Sequence, residues 1–422
     1  MEQNDLLDSE SIYPTSEKTE IATGKFNVLI PSMILDRFSY YGFRSLIILY
    51  VIKEFDINDS DAYSKFGLFT TLVYILSVLG GVLGDFVLKL KWSLIVGSVV
   101  AAIGAGICVF PSLELIYVGC ILVIIGASLY KPNVISYVAR ITGEDLRLLD
   151  QRYLLLYLMI NVGSFFGVLV LGLVSEYYGY TISFIIVALS WLLSAVLLYV
   201  IKGNSENVTK RPLHPKIEQF QKPSGKTLLL FFVPTIACLL FWLSYEHFYP
   251  RFIISSFEFI KMSEYGYLTS NLLSSIGMLV TFPLALILLF IFRNNWFHPL
   301  QKMAIGILLM AVTWGIFYII PQANDFNSAL FIVVLSSILL GIAELFIGPT
   351  ILTLIGAMTP AKILGTITGV YFLIVALGSR FIDELLNFID PNSGTLYLPW
   401  ICVLLSFVLF ILPYFLKKNE IE

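Results

Sequence analysis

Six ionisable side chains stand well inside apolar stretches of the sequence, where a charge is costly. They are Asp36, Arg37, Arg44, Lys131, Glu246 and Glu344. A charge at the centre of a membrane-spanning helix costs about 2.5–3.5 kcal/mol on insertion scales, so six lipid-facing charges would cost more than most proteins have in stability. Three of the six are acidic and three are basic, so they can pair with each other or share a water-filled cavity. Charges in such positions are typical of a path for a polar solute or a proton.

The composition places these charges in a membrane protein. Of the 422 residues, 58% are apolar and only 13% are charged, whereas soluble domains are about 25% charged. The net charge of −3 gives no sign of a nucleic-acid partner. Three histidines and four widely separated cysteines show no metal-ligand spacing, and no nucleophile–base pair stands at membrane depth. We therefore expect no metal, no cofactor and no enzymatic activity.

Twelve apolar runs are long enough to cross the membrane as helices, which requires about 30 Å. The sequence predicts an all-α membrane protein of two six-helix bundles, 26–201 and 227–416, joined by a polar linker at 202–226. Polar tails occupy 1–25 and 417–422. The predicted helices cover residues 26–51, 63–88, 92–110, 114–138, 153–175, 181–201, 227–252, 267–292, 300–320, 329–357, 364–385 and 397–416.

The lysines and arginines orient these helices. With the N-terminus in the cytoplasm, 18 of the 26 basic residues fall in cytoplasmic segments, five in outer loops and three inside helices. Because cytoplasmic loops carry the excess of Lys and Arg in membrane proteins, both termini are expected in the cytoplasm. Two six-helix halves joined by a basic cytoplasmic loop resemble the layout of major facilitator transporters. We expect a multi-pass monomer in the lipid bilayer of the inner or plasma membrane.

Helix periodicity groups the polar residues of the first helix. At about 100° per residue, Asp36, Tyr40, Arg44, Arg37 and Tyr41 fall on one arc of about 140°. The pattern predicts that this face of the helix lines a polar cavity.

Depth along the helices predicts which charges meet. Asp36 lies about 15 Å into the first helix and Lys131 about 13 Å from the end of the fourth, so both are near the midplane. Arg44 and Glu246 share a depth nearer the outer side, on corresponding helices of the two halves. We expect an Asp36–Lys131 pair, and an Arg44–Glu246 pair that closes an outer gate. Asp85, at the cytoplasmic end of the second helix, is expected to make a structural helix-end contact.

The segment at 33–42, MILDRFSYYG, resembles the first-helix signature of proton-coupled oligopeptide transporters, Glu-x-x-Glu-Arg-Phe-x-Tyr-Tyr-Gly. Further matches run in order to about residue 380, on the predicted helices. They are Val73-Tyr74 with Gly80-Gly81 and Asp85, Lys131-Pro132-Asn133, Tyr157 with Ile160-Asn161-Val162-Gly163-Ser164, Phe241-Trp242 with Glu246, Ala343-Glu344-Leu345 with Pro349, and Tyr371-Phe372-Leu373.

The resemblance implies a set of roles. Arg44 falls on the family arginine that meets the peptide carboxylate, and Glu344 on the glutamate that faces the peptide amino group. A zwitterionic peptide needs a pocket that is cationic at one end and anionic at the other, which Arg44 and Lys131 together with Glu344 supply. The expected substrate-binding residues are Arg44, Lys131, Glu344, Tyr40, Tyr41, Tyr74, Asn161, Trp242 and Tyr371. The expected proton-coupling or gating residues are Asp36, Arg37 and Glu246.

Three departures from the family pattern bear on coupling. Met33 replaces the first signature glutamate, and Asp36 shortens the second. The acidic pair usual on the seventh helix is reduced to Tyr245-Glu246. The linker of 25 residues, 202–226, is too short for the helical hairpin that many bacterial members insert there. The main hypothesis is import of di- and tripeptides with protons by alternating access.

Other functions stay open beside this hypothesis. One is a transporter of another small solute, such as an anion, an amino-acid derivative or a siderophore-like compound, either uncoupled or acting as an exporter. A second is a non-transporting receptor of the same fold, against which the deep charges on both halves argue. A third is a membrane enzyme, for which the sequence offers no catalytic group at membrane depth.

Overall fold

The computed structural model describes residues 16–55, 59–143, 145–201, 233–245, 248, 282–291, 298–318, 326–389 and 397–418. Within these ranges the chain is helical, with short connections. We call α1–α6 the first half and α7–α12 the second half. The helices are α1 Ser16–Phe55, α2 Asp59–Phe86, α3 Leu90–Ile107, α4 Leu113–Thr142, α5 Leu146–Tyr178, α6 Tyr180–Val200, α7 Val233–Tyr245, α8 Phe282–Ile291, α9 Pro299–Phe317, α10 Phe326–Met358, α11 Leu364–Ile389 and α12 Tyr397–Lys418. A 3₁₀ turn, Ala361–Ile363, precedes α11.

Eight of the described helices contain a stretch long and apolar enough to cross a membrane. The all-helical prediction is confirmed, and most predicted bounds agree to within a few residues; α6, expected at 181–201, is one example. The largest difference is α1, which begins at Ser16 instead of residue 26. The predicted seventh and eighth helices, 227–252 and 267–292, lie partly outside the described residues.

Local capping explains where α5 begins and ends. Asp145 precedes the helix, and its side chain accepts a hydrogen bond from the backbone N–H of Leu148 at 3.0 Å. This N-cap satisfies one of the free amides of the first turn, so α5 starts before its apolar run does. Gly179 follows the helix with a φ of 85°, a conformation that favours glycine and that lets α6 begin directly afterwards.

Glycines let neighbouring helices approach closely. Gly42 and Gly167 lie where α1 crosses α5, and Gly97 lies where α3 crosses α4. Across the two halves, a Cβ on Gly81 of α2 would collide with the backbone of Gly365 in α11. Small residues at such crossings are how membrane helices gain packing energy without a hydrophobic driving force.

Two clusters of buried apolar residues contain side chains of both halves. Helix α2 packs along α11, and α5 packs along α10. One cluster of buried residues contains Tyr153 of α5 together with Met303 of α9 and Ile347 of α10. Met33, only 2% exposed, belongs to this cluster. The position where the family signature has a glutamate is therefore occupied here by an apolar packing residue.

Candidate functional site

Asp36 is enclosed within the first half. Its Oδ2 lies 2.5 Å from Arg37 Nη2 and accepts a hydrogen bond from Arg37 Nε at 2.8 Å. Trp191 of α6 donates its indole N–H to Asp36 Oδ1 at 3.1 Å, and Asp36 is 2% exposed. Both carboxylate oxygens are thus engaged by α1 and α6. The predicted Asp36–Lys131 pair is wrong for this structure.

The side of α1 that carries Asp36 faces α6, which explains the correction. Ser32 Oγ lies 2.9 Å from Ser194 Oγ, and Ser39 Oγ donates to the carbonyl of Val187 at 3.2 Å. Ser32 and Ser39 lie about one turn before and after Asp36, so the three share one face of the helix. The equal depth predicted for Asp36 and Lys131 therefore does not make them neighbours.

The predicted polar face of α1 is divided between the core and a less buried region. The Arg37 guanidinium lies 5.6 Å from the ring centroid of Tyr40 and 5.7 Å from that of Tyr130, and all three residues are buried. Tyr41 and Arg44 are only partly buried. The expectation of one continuous cavity-lining arc is therefore wrong for Asp36, Arg37 and Tyr40, because these pack within the first half.

Lys131 of α4 lies between aromatic rings from the two halves. Its Nζ is 3.7 Å from the ring centroid of Tyr74 in α2 and 4.2 Å from that of Phe372 in α11. The two rings are themselves 5.9 Å apart. A desolvated ammonium against an aromatic face gains about 2 kcal/mol. Lys131 is thus held at the contact between the halves.

Tyr371, the residue before Phe372 in α11, has a different set of partners. Trp242 of α7 donates its indole N–H to Tyr371 Oη at 3.0 Å, and Cys238 Sγ lies 3.4 Å from the same oxygen. Tyr371 and Trp242, both predicted site residues, therefore form one hydrogen-bonded group within the second half.

Glu344 of α10 has a different environment from the other deep acid. It is partly buried, and no residue in the described part of the chain forms a hydrogen bond or an ion pair with its carboxylate. Tyr157 of α5 interacts electrostatically with Glu344, and its ring lies against Gly348, one turn further along α10. Glu344 therefore lies where the second half meets α5 of the first.

Tyr157 connects the predicted site residues. Its phenol is within electrostatic range of Tyr41, Tyr74 and Glu344, and Tyr371 is within range of Tyr157. Helices α1, α2, α5, α10 and α11 thus all contribute to one group at the contact between the halves, and Lys131 joins it through Tyr74.

Two predicted residues have other outcomes. Asn161 donates its amide N–H to the carbonyl of Tyr157 at 3.2 Å, so the side-chain amide is hydrogen-bonded within its own helix, α5. Glu246 lies outside the described residues, so its pairing with Arg44 stays a prediction. Phe372 and Tyr157 are site residues that the sequence analysis did not select, although Tyr157 stood in the family match on the fifth helix. The signal for Phe372 was its place beside Tyr371 in the match on the eleventh helix.

Asp85 joins the halves where α2 ends and α11 begins, and we call this the Asp85 end of the bundle. Its Oδ2 accepts hydrogen bonds from Thr366 N at 2.7 Å and Thr366 Oγ1 at 3.0 Å, and its Oδ1 accepts one from Gly365 N at 3.2 Å. Arg140 of α4 lies 3.2 Å from Oδ1 and donates to the carbonyl of Ala361 at 2.5 Å. The predicted helix-end contact is confirmed, with the helix supplied by the other half.

The chain belongs to the Major Facilitator Superfamily, whose family model matches residues 29–381. Among curated relatives, the chain is 30% identical over 173 residues to Dipeptide and tripeptide permease A of Citrobacter koseri, covering 40% of this chain and 34% of that protein. It is 29% identical over 198 residues to Dipeptide and tripeptide permease B of Xenorhabdus bovienii, covering 46% and 40%. The chain thus spans less than half the length of the curated relatives it matches.

Solved structures show the same fold. A mutant of the peptide transporter POT in complex with alafosfalin superposes with a TM-score of 0.69 at 19% identity, covering 94% of this chain and 98% of that one. A POT family transporter in complex with 5-aminolevulinic acid also gives 0.69 at 19% identity, covering 92% and 95%. The resemblance to proton-coupled oligopeptide transporters is therefore confirmed. These relatives are membrane transporters, which agrees with the expectation that the chain is not an enzyme.

Proposed function

We propose that this protein imports di- and tripeptides together with protons by alternating access. The observation that carries the proposal is the placement of charge at the contact between the halves. Lys131 of the first half lies on Tyr74, and Tyr74 lies within range of Tyr157. Glu344 of the second half lies within range of the same Tyr157. A cation and an acid from opposite halves thus border one group of tyrosines.

This placement suits a zwitterionic substrate. A peptide carboxylate is attracted to Lys131 and to the partly buried Arg44, and a peptide ammonium to Glu344. The phenols of Tyr41 and Tyr74 can hydrogen-bond a peptide backbone, which is the same for every side-chain sequence. Such a site accepts many peptides but requires both charged ends. The matches to permeases named for dipeptides and tripeptides support this substrate class.

The proposal includes the predicted topology of twelve spans in two six-helix halves, with both termini in the cytoplasm. It places the protein in the inner or plasma membrane. The distribution of basic residues supports it, since 18 of 26 fall on the assigned cytoplasmic side. In that orientation the Asp85 end is cytoplasmic. The protein is proposed to act as a monomer.

Alternating access requires contacts between the halves that can part. The Asp85 contacts are of that kind, because polar groups released from each other can bind water instead. Their partners are the first amides of α11, where a carboxylate is also favoured by the helix dipole. We propose that this end is closed in the present conformation and opens to release the substrate.

A second candidate is an uncoupled transporter of a small amino-acid derivative. Two observations favour it: Met33 is an apolar core residue, and both oxygens of Asp36 are already engaged within the first half. At the two signature positions that carry acids in the family, this chain therefore has Met33, an apolar packing residue, and Asp36, an acid held in an internal ion pair. The solved POT family transporter with 5-aminolevulinic acid shows that a relative of this fold holds such a derivative.

Uptake of labelled di-alanine into proteoliposomes, with an inward proton gradient and with the gradient collapsed, tests the proposal. Symport predicts accumulation above equilibrium only with the gradient. Uncoupled transport predicts the same equilibration in both conditions. No uptake in either condition, by protein that is monodisperse and correctly inserted, would refute di-alanine as a substrate.

A further inference from the structure

A second carboxylate joins the halves at the Asp85 end. Asp150 of α5 forms an ion pair with Lys302 of α9 through its Oδ2, and Thr353 of α10 donates its hydroxyl to Oδ1 at 3.2 Å. The Lys302 side chain is 4% exposed and that of Asp150 is 13% exposed. One acid of the first half is thus bound to two helices of the second half, with little access to water.

Capping hydrogen bonds at the start of α9 fix the position of Lys302. His298 caps the helix, with its Nδ1 accepting from the N–H of Leu300 at 3.2 Å, while Gln301 Oε1 accepts from the N–H of His298 at 3.0 Å. This reciprocal capping fixes the first turn, on which Lys302 stands. Asp150 likewise lies about one turn beyond the cap of α5. Both charges are therefore carried by well-defined helix starts.

A buried ion pair has an unusual energetic property at an interface that opens. Both ions lose hydration when the interface closes, and their attraction repays that loss only approximately. When the interface opens, each ion regains water. An apolar contact of the same size has no such compensation and favours closure outright.

We infer that Asp150 and Lys302 form a releasable latch that keeps the closed and open states of the Asp85 end close in free energy. The inference rests on the proposed alternating access. Asp150 and Lys302 bind no substrate; they set how often this end of the transporter opens.

The latch hypothesis predicts opposite changes in the open population for two kinds of substitution at this ion pair. Asp150→Asn removes the carboxylate that pairs with Lys302 and keeps the ammonium buried in the closed state, so the open state should gain about tenfold or more in relative population. Asp150→Leu combined with Lys302→Met removes both charges and keeps apolar contact, so the open population should fall below that of the wild type. Exchanging the charges, Asp150→Lys with Lys302→Asp, should restore most of the wild-type distribution.

Distances between spin labels measure these populations directly. Labels at Leu146→Cys and Lys362→Cys report on the two halves near the Asp85 end, since Leu146 is 49% exposed and Lys362 is also exposed. Double electron–electron resonance is recorded in liposomes without substrate, with the chain lacking the introduced cysteines as background. Asp145→Asn is the matched control, because it removes an exposed charge at the start of the same helix and keeps a capping side chain.

The outcomes separate the latch from the proposed cargo. An Asp150→Asn distribution equal to that of Asp145→Asn would overturn the latch, and so would an apolar pair that opens the protein. If Asp150→Asn does not yield folded protein, the apolar pair still tests the inference, since it buries no unpaired charge. Expected distance shifts without di-alanine transport would refute the cargo alone. Normal transport with unchanged distances would refute the latch alone.

Discussion

Asp36 and Glu344 are both acids deep in apolar helices, one in each half, and their surroundings are opposite. Asp36 is bound by Arg37 and Trp191 within the first half. Among the residues that the structure describes, Glu344 has neither a hydrogen-bond donor nor a cation on its carboxylate. A buried charge whose hydrogen bonds and ion pair are all made within one half has a structural role, because those partners move together with it. Glu344, which the described residues leave without a donor or a cation at the contact between the halves, is suited to a cation that arrives from outside.

The largest expected effect is on the stability of the first half. Asp36→Asn leaves the Arg37 guanidinium buried without its counter-ion, which should lower the free energy of unfolding by about 3–5 kcal/mol. Thermal unfolding of the purified protein measures this loss.

A graded variant sharpens the Asp36 prediction. Trp191→Phe removes one hydrogen bond to the carboxylate and keeps the ion pair, so it should cost about 1.5–3 kcal/mol. If Asp36→Asn unfolds like the wild type but no longer accumulates di-alanine in a proton gradient, Asp36 is a proton carrier after all. The contrast with Glu344 would then be broken.

Glu344→Gln should give the opposite pattern. The substrate amine loses its counter-ion, which should weaken peptide binding by about 2–5 kcal/mol, or about thirtyfold and more. The free energy of unfolding should stay level or rise, because a partly buried charge is removed. Titration calorimetry with di-alanine and thermal unfolding measure the two effects. Glu114→Gln, at an exposed acid at the start of α4, is the control and should change neither.

A smaller effect is expected from replacing Phe372, the aromatic residue of the second half that contacts Lys131. Phe372→Leu removes one of two aromatic faces from the ammonium, so affinity for peptides with a free carboxylate should fall about tenfold, by a cation–π contribution of up to about 2 kcal/mol. Peptides with an amidated end should be unaffected. Phe372→Tyr should bind normally, and Phe43→Leu, at a fully buried ring elsewhere in the first half, controls for cavity formation. Equal losses for Phe372→Leu and Phe43→Leu would make the ring a packing residue only.

The helices could be predicted closely, and the contacts between their side chains could not. Apolar length and polar interruptions set the bounds of most helices, since both depend on the chain alone. The early start of α5 depends on the Asp145 cap, which lies outside the apolar run. Depth along the helices predicts that Asp36 and Lys131 both lie near the midplane, but depth does not give the direction in which a side chain points.

Direction also explains the residues that were missed. Tyr371 and Phe372 are neighbours in sequence and point about 100° apart on α11, so only one can face Lys131. The Asp150–Lys302 pair joins helices far apart in sequence, and no local pattern indicates which starts of helices meet. Arg37 engaging Asp36 was also not expected, because adjacent positions of a helix do not usually face each other.

The central claim is that Glu344 meets the amino end of a zwitterionic substrate. The most direct test is a cycle that combines one change in the ligand with one in the protein. Binding of di-alanine and of N-acetyl-di-alanine is measured on the wild type and on Glu344→Gln. The account predicts that acetylation costs about thirtyfold or more in affinity on the wild type and almost nothing on Glu344→Gln, because the amine then has no acid to meet. An equal cost of acetylation on both proteins would contradict the claim.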